Sequence, residues 1–215
     1  MAHNGVLFLD ELAEFRRVAL EAMRQPLEDG RVCIARARAR AWFPARPLLV
    51  AAMNPCPCGY QAASHPAQSC RCSFGQVARY RQKLSGPLLD RLDVHVYLPP
   101  VDVRTLSRDG DSEASACVRE RVVAARERQL QRWRSGITSR RTNGELPLKE
   151  LKSIAALDRE SRRLLEGAAN QLGLSARAFV KVLRVARTVA DLEGAEAVTG
   201  QHVSEAIQGR ILDQR

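Results

Sequence analysis

Residues 5–11 read Gly-Val-Leu-Phe-Leu-Asp-Glu, an apolar run that ends in two adjacent carboxylates. A short apolar run without alternating polar positions is typical of a strand buried on both faces, as in a parallel sheet. Open α/β sheets bind their ligands beyond the carboxyl ends of the strands. The stretch therefore predicts an α/β fold in which Asp10 and Glu11 stand at a ligand-binding edge.

Later segments of the first half are predicted to complete this α/β core. Leu48–Ala52 and Asp93–Leu98 are expected to be further strands of the sheet, and residues 16–28 and 74–84 to be helices. Residues 31–34 and 41–43 flank an alternating Ala-Arg segment, which predicts a β-hairpin.

The second half of the chain has helical patterning throughout. Helices are expected near residues 118–133, 148–156, 159–172, 176–192 and 200–212. A polar stretch at residues 104–115 contains Asp-Gly-Asp-Ser and is typical of a domain linker. We therefore expect a partial α/β core at residues 1–105 and an all-α lid domain at residues 106–215.

The composition favours an anionic partner and argues against a membrane protein. The chain has 215 residues and a net charge of +10, with arginine far more frequent than lysine. Arginine suits bidentate phosphate contacts, although a genomic bias in base composition would produce the same excess. There is no apolar run of about 18 residues and no secretory leader, so we expect a cytoplasmic protein without a membrane span.

Four polar side chains follow the order expected of a nucleotide-hydrolysing site. A carboxylate at Asp10 suits Mg²⁺, and a second at Glu11 suits the activation of a water for attack on a γ-phosphate. Asn54 ends the next predicted strand, where its amide could reach that water, and Arg91 precedes the third. The alternative is an ordinary strand end with solvated acids and a surface arginine.

Cysteines form two close pairs, Cys56-Pro-Cys58 and Cys70-Arg-Cys72. In a protein without a secretory signal, such pairs indicate a metal site rather than disulfides. Four thiolates suit tetrahedral Zn²⁺, so we predict one structural zinc ion on these residues. His65 is an alternative ligand, and four unligated thiols are the alternative to a metal site.

Three arginines alternate with alanine at positions 36, 38 and 40, inside the predicted hairpin. At the two-residue period of a strand they would share one face. Arg36, Arg38 and Arg40 are therefore predicted to contact DNA phosphates without regard to base sequence. A solvated basic hairpin with no ligand is the alternative.

Six stretches of the sequence together resemble the ComM/YifB family of magnesium-chelatase-like AAA+ ATPases. They extend over most of the chain, from the first strand to the second half of the helical region. The stretches are His3-Asn-Gly-Val-Leu-Phe-Leu-Asp-Glu-Leu12, Leu20-Glu-Ala-Met-Arg-Gln-Pro-Leu-Glu-Asp-Gly-Arg31, Val50-Ala-Ala-Met-Asn-Pro-Cys-Pro-Cys-Gly59, Leu84-Ser-Gly-Pro-Leu-Leu-Asp-Arg-Leu-Asp93 and Leu174-Ser-Ala-Arg-Ala178 followed by Leu183-Arg-Val-Ala-Arg-Thr-Val-Ala-Asp-Leu192.

The resemblance implies a hexameric ATPase motor that uses ATP and Mg²⁺ and remodels DNA, as in branch migration during natural transformation. It implies Asp10 as the Mg²⁺ residue and Glu11 as the water-activating residue of a Walker B motif. By the same resemblance, Asn54 is sensor 1, Arg91 is a finger that reaches a neighbouring subunit, and Arg177 is sensor 2.

One family motif has no counterpart in the sequence. The family has a phosphate loop, G-x-x-x-x-G-K-[ST], before its Walker B strand, whereas no Gly-Lys dipeptide occurs in these 215 residues. We therefore expect the chain alone to be inactive, as the rear part of a longer ATPase would be. The alternatives are a non-catalytic zinc- and nucleic-acid-binding fragment and a metal-insertion subunit of the magnesium chelatase type.

Overall fold

A computed structural model of the chain describes residues 2–36, 39–61, 69–99 and 113–210. The chain divides into two compact units: Met1–Leu92 with Leu98–Pro100 forms unit 1, and Asp93–Tyr97 with Val101–Arg215 forms unit 2. Most of the predicted linker at residues 104–115 lies outside the described residues. Each unit is described by itself below.

Unit 1 combines a parallel strand pair, an antiparallel hairpin and short helices. Its elements are β1 (Val6–Leu9), α1 (Arg17–Ala22), α2 (Arg24–Asp29), β2 (Arg31–Arg36), β3 (Ala39–Pro44), β4 (Leu48–Ala51), α3 (Phe74–Arg81) and α4 (Gly86–Leu89). Strands β1 and β4 run parallel with Val6 opposite Leu48, and β2 and β3 run antiparallel. This confirms the predicted parallel pair and the predicted hairpin.

One helix predicted over residues 16–28 is instead two helices that meet at Met23. The cause is Pro26, which has no N–H to donate to the carbonyl of Ala22, and α1 ends at that residue. Both helices nevertheless contribute to one core with the parallel strands. Its buried members are Leu12, Leu20, Leu84 and Leu88, with Leu9, Met23, Leu27, Ala51, Met53 and Leu89 packed around them.

The expectation that β1 is buried on both faces is wrong. Val6 is 60% exposed and Phe8 58% exposed, whereas Leu7 and Leu9 are partly buried. The partner strand repeats the pattern, since Leu48 and Val50 are exposed as well. The reason is that the described residues of unit 1 supply one packed layer, which covers the Leu9 face of this strand pair.

The expectation of a third sheet strand at Asp93–Leu98 is also wrong. This segment has one isolated bridge, in which the His95 N–H donates to the Gly209 carbonyl at 2.6 Å. The Asp93 carboxylate bonds the Lys181 ammonium at 3.0 Å, and residues 93–97 belong to unit 2. The segment therefore takes its backbone partner from the end of the chain rather than from β4.

Unit 2 contains five α-helices among its described residues. They are α5 (Ser115–Arg134), α6 (Leu148–Ile154), α7 (Arg159–Leu172), α8 (Ala176–Glu193) and α9 (Gly200–Gln208), close to the bounds expected from the sequence. Helix α8 is central, with buried Val182, Leu183, Ala186 and Ala190 along one side. None of the described helices is both long enough and apolar enough to cross a membrane.

A buried polar network ties α5 to α8. The Asp191 carboxylate is fully buried and accepts hydrogen bonds from both terminal nitrogens of Arg132, at 2.8 and 2.5 Å. Arg187 lies 3.0 Å from the same carboxylate, and the Asn143 amide donates to it at 2.8 Å. One carboxylate thus pairs with two largely buried guanidinium groups.

Substitution of Asp191 by Ala is expected to destabilise unit 2 by about 3–5 kcal/mol, because it leaves two buried arginine charges unpaired. Urea unfolding followed by circular dichroism measures the change. The matched control is Glu127→Ala, which removes an exposed partner of Arg134 at 2.8 Å and is expected to cost less than about 1 kcal/mol. Equal losses in the two variants would contradict the prediction.

Candidate nucleotide edge, cysteine cluster and basic hairpin

Asp10, Glu11 and Asn54 lie at one edge of the parallel strand pair. Strands β1 and β4 end side by side, with Leu9 opposite Ala51. Backbone hydrogen bonds continue past the strand ends, from Ala52 N–H to the Leu9 carbonyl at 2.9 Å and from Leu12 N–H to the Ala52 carbonyl at 2.8 Å. The two acids and the amide therefore follow neighbouring strands at their carboxyl ends, as the sequence predicted.

The two carboxylates are separated by an unusual backbone conformation. Glu11 has φ 48° and ψ 47°, in the left-handed region, and its N–H donates to the Asp10 Oδ1 at 2.9 Å. For a residue with a side chain this conformation costs on the order of 1–3 kcal/mol, and such strain is concentrated at functional sites. Both carboxylates are exposed, and carboxylate oxygens are ligands that suit Mg²⁺, so the donor set fits that ion.

Tyr80 was not predicted from the sequence to be a site residue, but it lies close to this edge. Its side chain is buried, its hydroxyl is hydrogen-bonded to the backbone of Asn54, and burial together with the charges of Glu14 and Glu11 raises the pKa of the phenol. The one sequence feature that pointed to Tyr80 is its position on the buried side of α3, three residues after Val77. That spacing predicts core packing and does not predict a polar partner.

Arg91 is held within unit 1. Its guanidinium donates to the carbonyl of Arg24 at 3.0 Å and to that of Pro87 at 2.7 Å, and it pairs with Glu28. The side chain is only 14% exposed. Helices α2 and α4 therefore anchor this arginine, and a contact with another subunit would require these bonds to be exchanged.

Arg177 lies in the first turn of α8 and is exposed. Ser175 caps that helix, since its hydroxyl accepts from the Ala178 N–H at 3.1 Å. Arg177 belongs to unit 2, whereas Asp10, Glu11 and Asn54 belong to unit 1. Its sensor 2 role stays a prediction.

The four predicted cysteine ligands converge on one point. Their sulfur atoms all lie within 4.8 Å of one another. Cys56 Sγ is 3.3 Å from Cys58 Sγ and 3.7 Å from Cys70 Sγ, and Cys58 Sγ is 3.6 Å from Cys70 Sγ. Tetrahedral Zn²⁺ with bonds of about 2.3 Å requires sulfur separations of roughly 3.8 Å. The spacing therefore fits a single ion, and His65 lies outside the described residues.

The electrostatics of the cluster favour thiolate formation at Cys58. The backbone N–H groups of Tyr60 and Arg71 lower the pKa of the Cys58 thiol to about 6. Hydrogen bonding to Cys58 in turn raises the pKa of Cys72 to about 12. Thiolates this close together repel one another, so the four thiols cannot all ionise on their own. A divalent cation would stabilise all four as thiolates.

Hydrogen bonds of helix α3 and its N-cap hold the backbone next to both cysteine pairs. Cys72 directly precedes Ser73, which caps α3 by accepting from the Gln76 N–H at 3.3 Å, while the Gln76 side chain accepts from the Ser73 N–H at 2.8 Å. Arg81, later in α3, donates to the Pro55 carbonyl at 3.4 Å. Helix α3 therefore connects both cysteine pairs to Asn54, two residues before Cys56.

The backbone register of the hairpin assigns positions 36 and 40 to opposite faces, whereas one shared face was expected. In the register of β2 and β3, Ala35 is opposite Arg40 and position 36 is opposite Ala39. Residues opposite each other share a face and neighbours along a strand alternate, so positions 36 and 40 belong to opposite faces. The two-residue period is interrupted because the chain reverses between them. Arg40 is exposed, and Arg38 lies outside the described residues.

Comparison with known proteins covers almost the whole chain. Residues 1–106 match the family described as magnesium chelatase, subunit ChlI, and residues 112–210 match that described as magnesium chelatase, subunit ChlI C-terminal. YifB of Escherichia coli, an uncharacterized protein, is 43% identical over all 215 residues. The competence protein ComM of Haemophilus influenzae is 44% identical over 213 residues. The chain spans 40% of the length of each of these relatives.

The matches agree with the features that the structure brings together. Both family descriptions name the same chelatase subunit, and the matches to YifB and ComM cover the strand pair, the cysteine segment and the helical unit. The chain belongs to the ComM/YifB family of magnesium-chelatase-like proteins.

Proposed function

We propose that this chain supplies the water-activating and sensing edge of an AAA+ ATPase that acts on DNA. The observation that carries the proposal is the meeting of Asp10, Glu11 and Asn54 at the carboxyl ends of β1 and β4, supported by two backbone hydrogen bonds. Open α/β sheets bind ligands at this edge. Family membership supports an AAA+-type function for the complete protein.

Each residue of the edge has a distinct role in this proposal. Asp10 helps to hold Mg²⁺, which neutralises charge on the nucleotide phosphates. Glu11 accepts a proton from the attacking water, and Asn54 orients that water. The left-handed backbone of Glu11 supports this assignment, because it separates two adjacent carboxylates that have different roles in the proposal.

Two arginines complete the proposed ATPase. Arg91 exchanges its bond to Glu28 for the γ-phosphate bound by a neighbouring subunit, and Arg177 senses nucleotide from unit 2. Both roles require an oligomeric ring, which we propose to be a hexamer. They are supported by the resemblance to the family rather than by the positions of the two side chains.

DNA is the proposed partner of the ring, and DNA branch migration its proposed work. The support is the name of the relative ComM, a competence protein, together with the net charge of +10 and the basic hairpin. Contact of Arg36, Arg38 and Arg40 with phosphates would be insensitive to base sequence and strongly dependent on salt. The cysteine cluster would hold a structural zinc ion beside Asn54.

The test is a chimera in which the upstream segment of YifB precedes this chain. That protein is expected to hydrolyse ATP in the presence of Mg²⁺, whereas the 215 residues alone, which contain no Gly-Lys dipeptide, are expected to give no turnover. Release of phosphate is the measurement. Turnover by the chain alone, or none by a folded chimera, would contradict the proposal.

A second candidate function is a non-catalytic module that binds zinc and nucleic acid. It is favoured by one observation: the hairpin and the cysteine cluster both lie within residues 31–72 and need no other segment to be complete. DNA binding that persists in a chimera without ATP turnover would favour this candidate.

A further inference from the structure

Trp42 is a large aromatic side chain on the surface of the basic hairpin. It is 53% exposed, and the guanidinium of Arg31 lies over its ring at 4.4 Å from the centroid. Because the guanidinium occupies one face of the indole, the exposed surface lies on the other face and the edges. Burial of such a ring in a core is the usual outcome, so its exposure needs an explanation.

The neighbours of Trp42 are small or cationic. In the hairpin register Trp42 is opposite Cys33, and Arg40 is opposite Ala35, so both share the face that carries Arg31. Small residues opposite the indole and the arginine leave space above that face. A groove of about 680 Å³ adjoins it, and its lining includes His3, Asp29, Arg31, Trp42, Phe43 and Arg46.

The opposite face of the hairpin has a different character. Val32 and Phe43 form an opposed pair there, and Ile34 lies beside them. Phe43 is 48% exposed, similar to Trp42, but in the register its neighbours are aliphatic. The two faces therefore separate an aromatic ring among arginines from an aromatic ring among apolar side chains.

We propose that the Trp42 face of the hairpin binds single-stranded DNA by stacking an unpaired base on the indole, with Arg31 and Arg40 beside it for the phosphates. Aromatic rings flanked by arginine are how proteins bind unpaired strands without base preference. The cationic face complements the charge of a nucleic acid, and a duplex keeps its bases stacked within itself and out of reach. This proposal rests on the proposed function in one respect only, which is that the nucleic acid is DNA.

The experiment measures binding of a labelled oligo(dT) strand, and of a duplex, by fluorescence anisotropy. Trp42→Ala is expected to weaken binding of the strand about 5- to 150-fold and to leave duplex binding unchanged, whereas Trp42→Phe keeps most of the affinity. Ile34→Ala is the matched control, because Ile34 is 48% exposed, lies on the other face of the same hairpin and does not line the groove. It is expected to leave both affinities unchanged.

A second measurement reports on Trp42 without altering the hairpin. The chain has two tryptophans, and Trp133 belongs to unit 2. In a Trp133→Phe variant the remaining fluorescence comes from Trp42 and is expected to be quenched by oligo(dT). Absence of quenching, equal losses from Trp42→Ala and Ile34→Ala, or failure of the unmodified chain to bind the strand would each overturn the stacking site.

Replacement of Arg36 and Arg38 by Ala, which keeps Arg40 of the stacking site, separates this site from the proposed phosphate contact. That variant is expected to bind strand and duplex more weakly alike, with a shallower salt dependence. If it binds both normally while Trp42→Ala loses the strand, the arginine contact fails and the stacking site stands. If only the arginine variant loses affinity, the stacking site is refuted and the phosphate contact stands.

Discussion

Glu11→Gln in the YifB chimera is expected to lower ATP turnover at least about 100-fold while ATP still binds, because the amide cannot accept a proton from the attacking water. The substitution keeps the shape of the side chain, and the left-handed backbone of Glu11 is as accessible to glutamine as to glutamate. Turnover is measured by phosphate release, and binding by displacement of a fluorescent ATP analogue.

Glu14→Gln is the matched control for this loss. Glu14 is an exposed carboxylate in the turn that follows Glu11, and it pairs with Lys83 at 3.2 Å. Removing its charge changes the local field by a similar amount without touching the end of β1. A comparable loss in both variants, or loss of ATP binding in Glu11→Gln, would assign Glu11 an electrostatic or structural role instead.

We also expect each chain to bind one Zn²⁺ through Cys56, Cys58, Cys70 and Cys72. The sulfur positions already match the size of a zinc–thiolate tetrahedron, so little rearrangement opposes binding. Structural zinc contributes on the order of 10 kcal/mol of apparent binding free energy in small sites. Elemental analysis of protein purified without chelators is expected to find the ion, and Cys70→Ser to lose it with a marked fall in the unfolding temperature of unit 1.

Cys33→Ser is the control for the zinc experiment. Cys33 is an exposed thiol on β2, outside the cluster, and its substitution is expected to change neither the zinc content nor the unfolding temperature. A protein without metal, or one in which Cys70→Ser keeps its zinc, would leave the four cysteines as a thiol cluster held by hydrogen bonds.

Tyr80 gives the cysteine cluster a structural connection to the nucleotide edge. Its buried phenol is hydrogen-bonded to the Asn54 backbone, and α3, which carries it, is capped directly after Cys72. Zinc at the cluster would therefore fix the start of α3, which in turn contacts Asn54 through Tyr80. The proposed zinc site and the proposed hydrolysis site are connected through the packing of this helix.

The sequence by itself determined the features that depend on local pattern. The apolar runs that end at Asp10 and at Asn54 predicted two parallel strands and a shared edge, and both are present, because strand period and strand-end polarity are properties of short segments. The cysteine pairs predicted a convergent cluster, because they are close in sequence and four thiolates suit one tetrahedral ion. The helices of unit 2 followed from their periodicity and caps.

The tertiary structure decided what depends on distant parts of the chain. Positions 36 and 40 lie on opposite faces because the hairpin register, which the strand period does not determine, sets the faces across a chain reversal. His95 forms an isolated bridge with Arg210 rather than pairing with β4, and Arg91 is anchored by α2. In both cases the partner lies many residues away along the chain. Periodicity describes which side of an element is apolar, whereas long-range packing alone decides what that side meets.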